Sequence, residues 1–236
     1  MPKFSVILVE PRHEGNVGSV ARVMKNFGFS ELALVNPPKL DKDARAFAMH
    51  ARDIMEKAAV YSSFADMAKE YDFLVATSAI VATDKNPLRS PIFPEDLAGA
   101  FSVDGKVGIV FGREDHGLSN EEIDECDILV FIPASEEYPT LNLSHSVAII
   151  LYELHRIALK HGKKRFRKFR KADAVEKRVL LEKIDLFAEK VLEKEYEAWL
   201  AKRTMRQLLG RAFVSGKEAF TLIGLFRRAM RKMKED

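Results

Sequence analysis

Five short apolar runs punctuate the first 160 residues: Ser5 to Val9, Glu31 to Val35, Asp72 to Ala76, Val107 to Phe111 and Ile128 to Ile132. Their apolar positions are nearly continuous rather than alternating, which is the pattern of strands covered on both faces. Between them, Val17 to Phe27, Lys42 to Ala58 and Ser63 to Tyr71 carry helical spacing. This alternation predicts an α/β fold with a mostly parallel sheet. After a polar loop, Pro133 to Pro139, a helix is predicted from Asn142 to about Lys160. Leu143, Val147, Ile150, Leu151 and Leu154 form one apolar stripe on it, to be buried on the sheet or on another subunit.

The pattern changes at His161 to Lys171, HGKKRFRKFRK, which holds seven Lys or Arg and one His and no core-forming period. It reads as a linker. Beyond it, Asp173 to about Arg203 and Ser215 to Lys234 are predicted helices separated by Gly210 to Val214. Leu180, Ile184, Phe187, Val191, Leu208, Ile223 and Phe226 are the residues expected to bury against one another there. The predicted organisation is therefore a domain over residues 1–160, a basic linker over 161–172 and a small all-helical module over 173–236.

With 236 residues, 47% hydrophobic and 31% charged, the chain can bury a full core, which excludes disordered and fibrous classes. No apolar run approaches the roughly 18 to 20 residues of a membrane span, so a soluble, cytoplasmic protein is expected. Cys126 stands alone and no His-x-x-x-His spacing occurs, so no disulfide and no metal are expected. The net charge of +3 hides an asymmetry. Residues 1–160 carry 16 basic and 24 acidic side chains, a net of −8, and residues 161–236 carry 22 and 11, a net of +11. A basic appendage on an acidic body points to an anionic partner such as nucleic acid, although a basic helical face also serves as a solvated or dimerising surface.

Three polar, glycine-containing segments follow predicted strands, where open α/β sheets bind ligands. In EPRHEGNVGSVAR, Glu10 to Arg22, Gly15 and Gly18 allow close backbone approach, Asn16 can cap the helix, and Arg22 lies six residues on. Alone, it reads equally as a capped helix with a solvated arginine; its G-x-x-G is neither a dinucleotide fingerprint nor a P-loop. In FGREDHGL, Phe111 to Leu118, Gly112 and Gly117 bracket Arg113, Glu114, Asp115 and His116, a charge density suited to acid/base work, to ligand contacts or to a salt-bridged loop. In IPASEEYPTLNLSHS, Ile132 to Ser146, the free amides of a helix start and the side chains of Asn142 and Ser144 can hold a polar ligand. Adjacent Ser144 and His145 do not make a hydrolase pair, because neighbours on a helix do not face each other and no G-x-S-x-G elbow exists.

In this order, N-x-G-x-x-x-R at Asn16, Gly18 and Arg22, F-G-x-E-x-x-G-L at Phe111 to Leu118 and L-N-L-S-H-S at Leu141 to Ser146 resemble the three motifs of the SpoU-type SPOUT methyltransferases. VNPP at Val35 to Pro38, TSA at Thr77 to Ala79 and the basic helical extension make the resemblance greatest to the TrmJ group, tRNA (cytidine/uridine-2′-O)-methyltransferases. The resemblance covers about residues 4–160. It implies a homodimeric, trefoil-knotted domain that binds S-adenosylmethionine and methylates the ribose of a pyrimidine at nucleotide 32 of the tRNA anticodon loop. Carried over by position, Thr77, Ser78, Ala79, Gly112, Ile132, Thr140, Leu141 and Asn142 would hold the cofactor. Pro139-Thr140 departs from the two serines of many bacterial relatives.

The resemblance assigns Arg22 to catalysis. A guanidinium does not accept a proton at ordinary pH, so its expected role is to grip a phosphate beside the target ribose and stabilise the developing oxyanion. Asn16 would orient Arg22 or the ribose, Glu114 would pair with Arg22 or a neighbouring loop, and Asn142 and Ser144 would fix the knot. Lys163, Lys164, Arg165, Arg167, Lys168 and Arg170 are expected on RNA phosphates together with Arg22. Two other readings stay open: the same chemistry on ribosomal RNA, and a non-catalytic RNA-binding protein of the same fold.

Overall fold

The computed structural model of the chain describes residues 2–79, 91–161 and 170–233. Six strands form one sheet: β1 (Lys3–Val9), β2 (Glu31–Val35), β3 (Ala59–Tyr61), β4 (Phe73–Ser78), β5 (Lys106–Phe111) and β6 (Ile128–Phe131). Their order is β3-β2-β1-β5-β4-β6, and every pairing is parallel. In β1, Val6 and Leu8 enter one core layer and Ile7 and Val9 the other, which accounts for the unbroken apolar run. The edge strand β3 was not expected; it is three residues long with Ala59 and Val60 exposed, so it lacks the apolar signature of its neighbours.

Nine α-helices are described: α1 (Glu14–Phe27), α2 (Lys42–Ala48), α3 (Arg52–Glu56), α4 (Phe64–Ala68), α5 (Asn120–Asp124), α6 (Leu143–His161), α7 (Ala174–Val191), α8 (Glu195–Ala212) and α9 (Gly216–Lys232). The stripe of α6 is buried from Leu143 to Leu154 in the layer that also holds Val17, Val20 and Met24 of α1, so it serves this chain's own core. At Gly18 a Cβ would stand 2.2 Å from the Ala44 carbonyl oxygen, so glycine is what lets α1 and α2 approach. The expected single helix over 42–58 is instead broken by a 3-10 turn at Met49–Ala51, where Met49 takes a φ of 51°.

The expected helix over 173–203 is likewise two helices. It breaks at Leu192, whose extended φ of −102° and ψ of 124° end α7, although no Gly or Pro marks the position. Asp173 with Glu176 and Ser215 with Glu218 form the capping boxes that start α7 and α9. Leu180, Ile184 and Leu209 centre a small core of their own, whereas Val191 and Leu208, expected inside it, are 46% and 48% exposed. The supposed spacer glycine Gly210 lies within α8, and it is glycine because a Cβ there would meet the Asp127 carbonyl oxygen at 2.0 Å.

That approach seats the C-terminal helices on the N-terminal ends of β4 and β6. Phe213 stacks on Phe73 with ring centroids 5.5 Å apart, and Arg203 pairs with Asp124 at 2.7 Å. The buried Asp127 carboxylate accepts the Leu74 N–H at 2.8 Å and pairs with Lys177. The opposite, C-terminal ends of the strands are left open.

Candidate active site

Those open ends form a cleft. Its walls are Thr77, Ser78 and Ala79 at the end of β4, the loop Gly112–Leu118 after β5, Ile132 after β6, and Pro139, Thr140 and Leu141 before α6. It is partly open to solvent and lined by both polar and apolar side chains. The loop after β5 folds on itself: Arg113 and Gly117 exchange backbone hydrogen bonds at 3.2 and 2.9 Å. A Cβ on Gly112 would lie 2.1 Å from the Gly117 carbonyl carbon, so this closure demands glycine. The Thr77 hydroxyl donates to the Val110 carbonyl at 2.9 Å, tying β4 to β5 beneath the cleft.

Of the residues expected at the cofactor, Thr77, Ser78, Ala79, Gly112, Ile132, Thr140 and Leu141 all line this one cleft. Asn142 stands outside its lining. There it caps α6, its Oδ1 accepting the Ser144 N–H at 2.9 Å and the Ser144 hydroxyl at 2.8 Å. Its Nδ2 donates to Asn16 Oδ1 at 3.2 Å, and Asn16 Nδ2 donates to Glu114 Oε1 at 2.7 Å. Glu114 also accepts the backbone N–H groups of Arg12 at 2.9 Å and His13 at 3.4 Å. Residues 16, 114, 142 and 144 thus form one chain of hydrogen bonds across all three sequence segments. Partial burial pushes the Glu114 carboxyl up, but the bonds donated by Arg12, Asn16 and His13 outweigh this and hold it below its ordinary value.

This network corrects one expectation and selects between the alternatives of another. Asn16 is not a cap: α1 begins at Glu14 with His13 at its N-cap, and the amide of Asn16 is committed to Glu114 and Asn142. Glu114 does not pair with Arg22; it takes the neighbouring-loop alternative. Arg22 lies two turns down α1, exposed, outside the cleft lining and with no ion pair among the described residues. Arg170 is bound through both guanidinium ends to Glu176, at 2.9 and 2.6 Å. Lys163, Lys164, Arg165, Arg167 and Lys168 lie outside the described residues.

A family model described as the SpoU rRNA methylase family matches residues 3–152, the part of the chain that builds the sheet, the cleft and the network. The chain belongs to the SpoU methylase family. A relative from Methanocaldococcus jannaschii, tRNA (cytidine-2′-O-)-methyltransferase TrmJ, is 47% identical over 95% of this chain and 98% of its own length. A second, tRNA (cytidine/uridine-2′-O-)-methyltransferase TrmJ from Pectobacterium atrosepticum, is 42% identical over 67% of this chain and 66% of its own. The crystal structure of TrmJ from Z. mobilis superposes with a TM-score of 0.69 at 26% identity, covering 98% of this chain and 99% of that one. The fold is thus that of the SPOUT methylases, with a C-terminal helical region beside it.

Within this family member the structure also brings forward residues that the motifs did not single out. Arg113, with 12% of its side chain exposed, donates to Glu10 at 2.8 Å and to both oxygens of Glu122 at 2.9 and 3.1 Å. The bond from Arg113 lowers the Glu10 carboxyl, and the two carboxylates keep Arg113 firmly charged. It fastens the glycine-bracketed loop to the end of β1 and to α5. The signal was its place between Gly112 and Glu114; its partners, at positions 10 and 122, are invisible to local pattern. Among the described residues no His, Cys, Asp and Glu cluster is placed to hold a metal ion, and no helix is long and apolar enough to cross a membrane.

Proposed function

We propose that this chain is a tRNA ribose 2′-O-methyltransferase that uses S-adenosylmethionine and acts on a pyrimidine, cytidine or uridine, at nucleotide 32 of the anticodon loop. The observation that carries the reading is the convergence of the three segments on one cleft through Ser144, Asn142, Asn16 and Glu114. Similarity over nearly its whole length to a relative named as a tRNA cytidine-2′-O-methyltransferase supports tRNA over ribosomal RNA as substrate.

The residues present fit the cofactor. Ile132, Leu141 and Leu118 offer apolar walls for an adenine, and Thr77, Ser78 and Thr140 place hydroxyls in the same lining. S-adenosylmethionine supplies the methyl group from a sulfonium when bound. The chain's task is to bring the ribose hydroxyl in line and to ease release of its proton. Glu114, fixed by three donors, holds Asn16 and the start of α1 against the cleft, and Asn142 and Ser144 tie the start of α6 to the same point. In this reading the loop ending at Asn142 belongs to a trefoil knot.

Arg22 takes the phosphate flanking the target ribose. Its exposure and its lack of an ion pair among the described residues leave the guanidinium available to RNA. The division of the chain follows: residues 1–160 methylate, 161–172 link, and 173–236 add RNA affinity. The cations Lys163, Lys164, Arg165, Arg167, Lys168 and Arg170 contact phosphates, Arg170 from its exposed pair with Glu176. The enzyme works as a homodimer, for which the outer face of α6 offers Tyr152 and Leu159, 53% and 62% exposed.

The test is transfer of labelled methyl from S-adenosylmethionine to unmodified total tRNA, with nuclease digestion and mass spectrometry to place the product and Arg22→Ala in parallel. A 2′-O-methylpyrimidine at nucleotide 32, with the variant slower by about 100-fold, is expected. Label in ribosomal RNA alone would move the function to that substrate, and cofactor binding with no transfer to any RNA would leave a binding protein.

A further inference from the structure

Beside the cleft, and sharing Arg113 and His116 with it, lies a second pocket at the ends of β1 and β2, walled by Glu10, Arg12, Asn36, Pro37 and Pro38. Val9 and Val35 are the last paired residues of the two strands, so Glu10 and Asn36 stand side by side as the chains leave the sheet. Both adopt left-handed backbone, with φ of 47° and 43°. Asparagine takes that conformation readily and glutamate does not, so a glutamate held there beside Asn36 marks a place where its side chain matters. Their side chains meet: Asn36 Nδ2 donates to Glu10 Oε1 at 3.5 Å, while Glu10 Oε2 accepts from Arg113 at 2.8 Å. The carboxylate is therefore anchored on the loop of the main cleft. It braces an amide that is otherwise exposed.

We propose that this pocket takes the pyrimidine base of the nucleotide being methylated, and that Asn36 reads the edge formed by ring N3 and the 4-substituent. The proposal rests on the ribose-methylation reading above and deepens it. Proline rings and the planar Arg12 guanidinium, held edge-on by Asp115 at 2.6 Å, suit the faces of a heterocycle. A primary amide offers one donor and one acceptor side by side. Cytosine presents an acceptor at N3 and a donor at its amino group, which the second Nδ2 hydrogen and the Oδ1 of Asn36 match; uracil presents the reverse, and turning the amide over would set Oδ1 against the Glu10 carboxylate. The braced asparagine thus favours cytosine at this edge. Pro37 and Pro38, which lack N–H donors, leave the edge contact to that amide.

The experiment compares full-length wild type with Asn36→Gly, a change that removes the amide and suits the left-handed backbone. Substrates are tRNA transcripts carrying cytidine or the pyrimidin-2-one ribonucleoside, which lacks the 4-amino group, at the methylated position. Wild type is expected to lose about fivefold or more in kcat/KM on the pyrimidin-2-one transcript, as for a lost hydrogen bond. Asn36→Gly is expected to be slower on cytidine and indifferent between the two, with its affinity for S-adenosylmethionine unchanged by calorimetry. Equal discrimination by both proteins, or none by wild type, overturns the assignment. No methylation of the cytidine transcript by wild type would instead overturn the ribose-methylation reading, and this one with it.

Discussion

Replacing Asn16 by aspartate tests the hydrogen-bond chain at its shortest side-chain link. The substitution is isosteric, so it leaves no cavity, but it turns the donor 2.7 Å from Glu114 Oε1 into a second carboxylate. Two terms add. A hydrogen bond to a charged group, worth about 1.5–3 kcal/mol, is lost. Two like charges about 3 Å apart then repel by about 1.5 to 5 kcal/mol for effective dielectrics between those of water and of a partly buried site. A loss of about 3 kcal/mol or more, if it falls on the positioned state, slows methyl transfer by about 150-fold. Asn16→Ala, which loses this bond and the one from Asn142 but adds no charge, should fall by about 10- to 100-fold. The aspartate variant also carries a pH signature that alanine cannot. Like charges raise the pKa of one member of such a pair, so the two carboxyls share a proton that restores a donor between them. The wild-type Glu114 carboxyl is instead lowered from its ordinary 4.5, so its contribution is intact at neutral pH and is lost as the pH falls below that value. The rate of Asn16→Asp relative to wild type should therefore climb as the pH drops from 8 towards 5.5. Initial rates with saturating S-adenosylmethionine measure it, and cofactor affinity should hold because Asn16 does not line the cleft. A variant within threefold of wild type at pH 8, or a ratio flat with pH, would refute the coupling.

Gly112→Ala should abolish cofactor binding by calorimetry, since its Cβ would lie 2.1 Å from the Gly117 carbonyl carbon; unchanged affinity would show that the loop closure is dispensable. Gly210→Ala, which in an open helix would stabilise by about 1 kcal/mol, should instead lower the thermal midpoint and expose the C-terminal helices to protease, because its Cβ collides with the Asp127 carbonyl. Burial lowers the Lys171 ammonium to about 8 beneath the Phe213 ring, so the charged form costs stability below pH 8 and that cost lifts as the pH rises towards 10.5. Lys171→Met should then raise the midpoint at pH 7 by about 2 °C or more and by less at pH 10, read by calorimetry.

Much of the fold was legible because its signals are local. The continuous apolar runs of β1, β2, β4, β5 and β6 reflect a sheet covered on both faces, and the stripe of α6 was recognisable from its spacing. β3 was not, because two of its three residues face solvent and carry no pattern. The break at Leu192 has no breaker residue, and Gly210 looked like a spacer because the carbonyl it accommodates belongs to Asp127, far away in sequence. At the site, the order of the three segments marked which residues matter, but not how they connect. Asn16 reads locally as a cap, and only the fold aligns its amide with Glu114 and Asn142. Glu10 opens the first segment and Asn36 lies in VNPP, but that the two side chains meet comes only from adjacent strand ends. The placement of the C-terminal helices at the far end of the sheet from the cleft is likewise a long-range fact, set by Phe73, Asp124 and Asp127.

The most direct measurement uses two tRNA transcripts that differ by one oxygen, ribo-cytidine and 2′-deoxycytidine at nucleotide 32, with wild-type protein and labelled S-adenosylmethionine. The ribo transcript should take up one methyl group per molecule and the deoxy transcript none. Equal labelling of both would place the methyl elsewhere than on that 2′-oxygen and contradict the account.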